Sequence, residues 1–184
     1  MATGFAIRHA IHCIRHGGII VYPTETVYGL GCDPLCEAAV TRINRIKQRP
    51  PGKGLILLAG RLEQLDDFID VPAQQDRALI RHNTQPTSWI VPARIQAPHW
   101  LTGGDNTIAV RISSNAVVRA LCNQLGFPLV STSANPAGRK PARNALELHR
   151  YFEGIVDRIL VATGACSGTP SKIIRLADRS LVRE

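Results

Sequence analysis

The sequence predicts a single α/β domain, and three observations carry that prediction. Apolar patterns of helical period alternate with short runs of β-forming residues along the whole chain. Its 184 residues are enough for one sizeable hydrophobic core. No internal repeat and no Pro/Gly/Ser-rich linker divides it, so residues 1–184 read as one domain.

Each element follows from local pattern. Ile7, Ala10, Ile11 and Ile14 share one face of a first helix, which Gly17-Gly18 ends. Residues 19–22 are a buried strand stopped by Pro23, and Thr24-Glu25-Thr26 follow as a loop. A helix over about 36–47 buries Ala39, Val40, Ile43 and Ile46. Residues 55–58 form a short buried strand and 74–82 a helix. Strands are expected over 88–91 and 107–112, a helix over 115–125, and a strand over 129–132. Helix 144–151 and strands 156–161 and 172–176 complete the run.

Composition narrows the function. With 45% hydrophobic and 20% charged residues, the chain is ordinary globular protein. No apolar stretch is long enough to span a bilayer. The N-terminal MATGFAIRHAIHCIRH carries basic residues and histidines inside its apolar pattern and does not read as a signal peptide. A cytoplasmic protein without a membrane partner is expected. The 22 Lys and Arg outnumber 14 Asp and Glu, and only four of the 22 are lysine. Arginine's planar fork suits phosphate and carboxylate, so the balance favours a nucleotide or nucleic-acid partner over a merely soluble surface. The five cysteines are scattered, with no paired CxxC motifs, and read as small buried hydrophobes.

Three weak motifs fall away. His9, His12 and His16 lie within about 60° on one helical face, but their spacing lacks a zincin's glutamate, and a solvated face is the better reading. Pro51-Gly52-Lys53-Gly54 fails as a P-loop, because Lys47 stands where the first glycine belongs and Gly54 where Ser or Thr belongs. Ser131 and Ser133 have no GxSxG elbow and no marked His/Asp pair.

The chemistry concentrates at the ends of predicted elements. Thr24-Glu25-Thr26 follows the first strand. Lys47, Arg49 and Lys53 fall within seven residues after the second helix, where Lys47 lies between Val40 and Ile43 on the buried side. Such cations can cap a helix C-terminus, or they can reach an anion. Ser131-Thr132-Ser133-Ala134-Asn135 ends another strand, where small hydroxyls leave room for a ligand. Alternation puts Thr107, Ala109 and Arg111 on one strand face and Ile108, Val110 and Ile112 on the core side. A buried Arg111 needs a partner, either a substrate carboxylate or a structural salt bridge.

The stretches YPTETVYGLGCDP, KQRPPGKGLILLA, NTIAVRI and PLVSTSANPAG, with the weaker SKIIRLADRSLVR, resemble the YrdC family, whose bacterial single-domain members are threonylcarbamoyl-AMP synthases. The resemblance covers about residues 6–183. It implies a twisted, open, mixed sheet with helices packed around a basic cavity and no extra C-terminal domain. It implies a nucleotidyltransferase that converts L-threonine, bicarbonate and ATP into threonylcarbamoyl-AMP and pyrophosphate. Partner transferases then use that product to modify the adenosine beside the anticodon of tRNA. By position, Lys47 and Arg49 are the expected catalytic cations. Thr26, Arg111, Ser131 and Ser171 are on the threonine side. Lys47, Arg49, Lys53, Thr107, Ser133, Asn135 and Arg183 are on the ATP side. No protein-held metal is expected; Mg²⁺ would accompany the ATP phosphates. Direct contact with tRNA or double-stranded RNA is a further expected partnership. Leu58, Pro141 and Ser88 depart from the family pattern, so the family's contacts at those positions are not carried over. The rival reading is a non-catalytic RNA- or ribosome-binding factor. Such a protein would more often interleave aromatics with its cations, and the nine aromatics here do not cluster among them.

Overall fold

The computed structural model describes residues 4–49, 55–82, 85–103, 105–161 and 166–183. Among the described residues, nine strands form one mixed sheet in the order β7-β1-β2-β6-β3-β5-β4-β8-β9. The strands are β1 Ile20–Tyr22, β2 Gly29–Gly31, β3 Ile56–Ala59, β4 Thr87–Pro92, β5 Thr107–Ile112, β6 Leu129–Ser133, β7 Arg158–Ile159, β8 Lys172–Arg175 and β9 Leu181–Arg183. Pairs β1/β7, β3/β5 and β4/β8 are parallel, and the other neighbours are antiparallel. Among the described residues the α-helices are α1 Gly4–Arg15, α2 Glu37–Ile46, α3 Gln74–Arg81, α4 Ala116–Leu125 and α5 Ala145–Phe152. Among the described residues, no helix is long and apolar enough to cross a membrane.

Strand alternation divides the core between the two sheet faces. Val21, Leu30, Leu57, Val110 and Val130 face one side and pack with Val40 and Ile43 of α2, Ile80 of α3, and Leu148 and Phe152 of α5. Ile20, Tyr22, Leu58 and Leu129 face the other side, beneath Ala10, Ile11 and Ile14 of α1 and Val118, Leu121 and Cys122 of α4. Asn115 caps α4 by accepting from the Val117 and Val118 N–H groups, and Gly126 ends it in the left-handed conformation.

The expected elements form with small shifts. The strand expected over 156–161 contracts to Arg158–Ile159, and β2, β9 and a 3₁₀ turn at Leu62–Leu65 add to the pattern. Strand β2 has no β-branched residue. It exists because Gly31 has no side chain: a Cβ there would lie 2.1 Å from the Val130 carbonyl oxygen. The Tyr22 ring closes against the same two glycines, Gly29 and Gly31.

Helices α1 and α4 cover only one end of their sheet face. In register, Ile56 lies beside Ala109 and Ser131, and Leu58 lies beside Arg111 and Leu129. The Leu58 row is sealed under the helices, and the Ile56 row opens into a cavity.

Candidate active site

The cavity measures about 610 Å³, within the range of small-molecule sites. Its floor is the small-residue end of the sheet: Thr107 and Ala109 of β5, and Ser131 and Ser133 of β6. Lys47, Arg49, Arg111, Arg175 and Arg183 line it, against one carboxylate, Asp105, among the described lining residues. Like charges gathered in a concave, partly desolvated space raise the local affinity for anions.

Arg111 lines the cavity from a buried position. Its side chain is buried, and Glu25 lies 3.4 Å from its Nε. One Nη1–H reaches the Thr26 hydroxyl at 3.3 Å, and Nε has no aligned hydrogen-bond acceptor. Burial pulls the Arg111 pKa down, and the Glu25 charge opposes that shift. Glu25 is itself fixed by the Ser113 hydroxyl, which donates to it at 2.5 Å. Ser113, Glu25 and Arg111 therefore form a braced chain that orients the guanidinium. The salt-bridge reading of Arg111 holds, and the fork still borders the cavity.

The loop that carries Glu25 is built by its threonines. The Thr24 hydroxyl donates to the Val27 carbonyl at 2.6 Å and accepts from the Thr26 N–H at 3.1 Å. Gly168 N–H, from a distant segment, donates to the Thr26 carbonyl at 2.9 Å. Thr26 is thereby held with its hydroxyl beside Arg111.

Lys47 and Arg49 arrive from the end of α2. Arg49 N–H donates to Asn44 O and Gln48 N–H to Arg45 O, a Schellman closure with Gln48 at φ +45° where glycine is usual. The sharp turn sends Arg49 into the cavity, where its Nη1 lies 3.4 Å from the Thr132 hydroxyl. Lys47 is bound from three sides: Nζ donates to Ser133 O at 2.8 Å, Asn135 O at 2.7 Å and Asn135 Oδ1 at 2.8 Å. Burial first, then the Arg49 charge, pushes Lys47 down to about 8. Burial also lowers Arg49, with Arg183 adding to the shift, and lowers Arg183, with Arg111 adding to it. The three arginines thus feel one another across the cavity.

Of the residues expected on the threonine side, Thr26, Arg111, Ser131 and Ser171 all line this cavity. Of those expected on the ATP side, Lys47, Arg49, Thr107, Ser133 and Arg183 line it. Asn135 is not part of the cavity lining. Its amide oxygen is turned to Lys47 and its Nδ2 donates to Arg139 O at 2.7 Å. Lys53 lies outside the described residues. Leu58 is sealed in the helix-covered core, so it makes no polar contact in the cavity. Ser88 is buried with its hydroxyl 2.9 Å from that of Ser171, and so supports a lining residue. Pro141 forms part of the wall.

Sequence reasoning missed Arg175 and Asp105. They pair with each other at 3.2 Å at the cavity edge, and Thr107 donates to Asp105 at 2.6 Å. The Thr107 hydrogen bond, then the Arg175 bond, holds the Asp105 carboxyl below the usual carboxylate range. The signal was present in Lys172-Ile173-Ile174-Arg175, where alternation puts Ile173 and Arg175 on one face.

Among the described residues, no three His, Cys, Asp or Glu side chains converge to hold a metal ion. Glu25 and Asp105, the carboxylates nearest the cavity, are already engaged by Ser113 and Arg111 and by Thr107 and Arg175. The cavity residues do not fit a protein-held Mg²⁺. The His12 and His16 rings are tilted against each other with centroids 4.1 Å apart, and those of Phe5 and His9 likewise at 4.2 Å.

Comparison with known proteins places this geometry. The model of the Sua5/YciO/YrdC family, described as telomere recombination, matches residues 12–184. The chain belongs to this family. It is 42% identical over 178 residues to a protein of Cellvibrio japonicus named threonylcarbamoyl-AMP synthase, covering 96% of this chain and 94% of that one. A protein of the same name from Pseudomonas putida strain F1 is 44% identical over 186 residues, covering 100% and 99%. The fold matches that of P. abyssi Sua5 complexed with L-threonine, with a TM-score of 0.87 and 31% identity over 95% of this chain. This chain spans 52% of that longer protein. E. coli YciO matches with a TM-score of 0.82 and 31% identity, covering 97% of this chain and 88% of that one.

Proposed function

We propose that the chain, acting as one catalytic domain, is a threonylcarbamoyl-AMP synthase that uses L-threonine, bicarbonate and ATP. The observation that carries this reading is the convergence of Arg49, Arg111 and Arg183 on a cavity floored by threonine and serine hydroxyls. The threonine amine and bicarbonate first give a carbamate and water. A carbamate oxygen then attacks the α-phosphorus of ATP, and the bond to pyrophosphate breaks. Both partners are anionic, so they repel in water. Fixed cations remove that repulsion and stabilise charge developing on the leaving group. Holding the reactants in line supplies further acceleration. No enzyme nucleophile is required.

In this reading Arg111 takes the threonine carboxylate, with Thr26, Ser131 and Ser171 around the amino acid. Arg49 and Arg183 take the phosphates, with Thr107 and Ser133 on the nucleotide. Lys47 contributes its positive field and holds Ser133 and Asn135 in place. Lys53 is assigned to the phosphates by its position in the motif alone. Mg²⁺ entering with ATP would rely on the nucleotide rather than on protein carboxylates and would neutralise part of the phosphate charge. Glu25 braces Arg111, an arrangement that suits positioning better than proton abstraction. The product is handed to tRNA-modifying transferases in the cytoplasm, and contact with tRNA itself belongs to the same proposal.

Mass spectrometry of the purified protein with threonine, bicarbonate and ATP tests it. A threonylcarbamoyl-adenylate that requires all three substrates is expected. A correctly folded protein that forms none would refute the reading.

A further inference from the structure

Tyr22 ends β1 with its side chain fully buried, and its hydroxyl has no hydrogen-bond partner among the described residues. The ring belongs to the apolar cluster under α1 and α4, with Ile20, Leu58 and Leu129. Burying a hydroxyl without a partner is costly, and phenylalanine would fill the same space without that cost. An unmet polar group of this kind calls for a physical reason.

The direction of the ring shows where a partner lies. Tyr22 pairs with Gly29 across β1 and β2, and its hydroxyl oxygen lies 3.2 and 3.1 Å from where side chains on Gly29 and Gly31 would begin. The phenol therefore crosses over β2 toward β6. Gly29 is opposite Ser133 and Leu30 is opposite Thr132, so the next step of the register sets Gly31 beside Ser131. Opposed residues of antiparallel strands share a face, which puts the Ser131 side chain on the side where Tyr22 lies. Gly29 and Ser131 both line the cavity, so the phenol ends just beneath its floor. Burial pushes the Tyr22 hydroxyl up, and the Ser131 hydroxyl opposes that shift. A serine hydroxyl carries one proton and two lone pairs. With a lone pair taken by Tyr22, its proton is left to point into the cavity.

We propose that Tyr22 is a positioning residue for threonine: when the amino acid binds, the Tyr22 hydroxyl donates to Ser131, and Ser131 donates its own proton to an oxygen of the substrate. The proposal rests on the synthase reading, which places threonine at Ser131. Tyr22 does not touch the substrate and acts through Ser131 alone. Its unmet hydroxyl destabilises the free protein and is satisfied in the complex, and that difference adds to threonine affinity.

Tyr22→Phe removes the hydroxyl and keeps the ring. By calorimetry its threonine affinity is expected to fall about three- to tenfold, the range of one hydrogen bond, with AMP affinity unchanged. The melting temperature of the free variant is expected to hold or rise. In a Ser131→Ala background the same change should have no further effect on threonine, because the group through which Tyr22 acts is gone. A merely structural tyrosine would lower the melting temperature and act alike in both backgrounds. Unchanged threonine affinity in Tyr22→Phe would overturn the proposal, as would losses that simply add in the double variant or a destabilised free variant. These readouts stand apart from the product assay: a wild type that binds threonine yet forms no adenylate would sink the synthase reading and leave the coupling of Tyr22 to Ser131.

Discussion

One sheet face does two different jobs along its length. Under α1 and α4, the outward residues of β1, β3 and β6 are Ile20, Tyr22, Leu58 and Leu129, all fully buried. Two residues further along β3 and β6, the same face presents Ile56 and Ser131 to the cavity. Arg111 stands in the covered row, beside Leu58, and points its charge toward the open one. The lesson is that a rigid apolar half positions the polar half. Each cavity residue on these strands is fixed by the packed residue two places away, which is how a site on strands gains precision.

Substitutions should therefore separate cleanly between the two halves. The largest effect is expected from Arg49→Ala. Loss of a fixed cation facing the reacting phosphates should reduce synthesis by about 10²–10³-fold. The melting temperature should stay near wild type, because the side chain is part of the open half. Near-normal pyrophosphate release from that variant would remove Arg49 from the chemistry.

The covered half should behave in the opposite way. Leu129→Ala removes a fully buried side chain and should destabilise the fold by about 2–5 kcal/mol. Ser131→Ala, two residues on, should leave stability close to wild type and raise KM for threonine. Denaturant unfolding and initial rates measured on both variants check the contrast. Equal stability losses would erase the distinction between the halves.

Arg111 tests their boundary. Arg111→Ala should weaken threonine binding by calorimetry and leave AMP binding alone. Glu25→Gln should weaken threonine in the same direction but less, because the brace is loosened and the guanidinium remains. If Glu25 were instead the base, this variant would lose kcat while its threonine affinity stayed unchanged.

Lys47 gives the pH dependence. Its folded pKa of about 8 lies below the usual 10.5 of lysine, so the folded state releases this proton first. Between those values the unfolded state binds more protons, and this residue's contribution to stability rises with pH. Its hold on Ser133 and Asn135 weakens over the same range, because a neutral amine has fewer protons to donate. Activity is therefore expected to fall as pH rises through about 8 without a matching stability loss from this group. In Lys47→Arg that basic limb should disappear. A limb that persists unchanged would assign it to another group.

Gln48→Gly is the smallest expected change. Gln48 holds the left-handed conformation that a side chain disfavours, so glycine should stabilise the fold by roughly 1 kcal/mol. The measured rate should hold, since the turn that aims Arg49 is kept.

Much of this division was legible in the residues. The alternation Thr107-Ala109-Arg111 against Ile108-Val110-Ile112 assigned both faces of β5, because strand period is strict and both faces are covered by contrasting chemistry. The helices followed from apolar stripes of ordinary length. Strand β2 was hidden because Gly29-Leu30-Gly31 carries no β propensity; its pairing depends on the absence of side chains beneath Tyr22 and beside Val130. Strand β9 was hidden because Leu181–Arg183 is short, exposed and paired only to β8. In the site, Asn135 was legible as a polar group near the phosphate cluster. Spacing could not reveal that Lys47 takes its oxygen, because the two residues are 88 apart in sequence. Arg175 escaped for a similar reason, since its Asp105 partner lies 70 residues away.

Hydrogen–deuterium exchange with and without saturating threonine and ATP tests the central claim most directly. Protection should concentrate on the open half: the loop at Thr24–Thr26, the end of α2 at Lys47–Arg49, and the β6 end at Ser131–Asn135. Exchange in α1 and α4 should hardly change. Protection centred on α1 and α4, with the open half unaffected, would contradict the account.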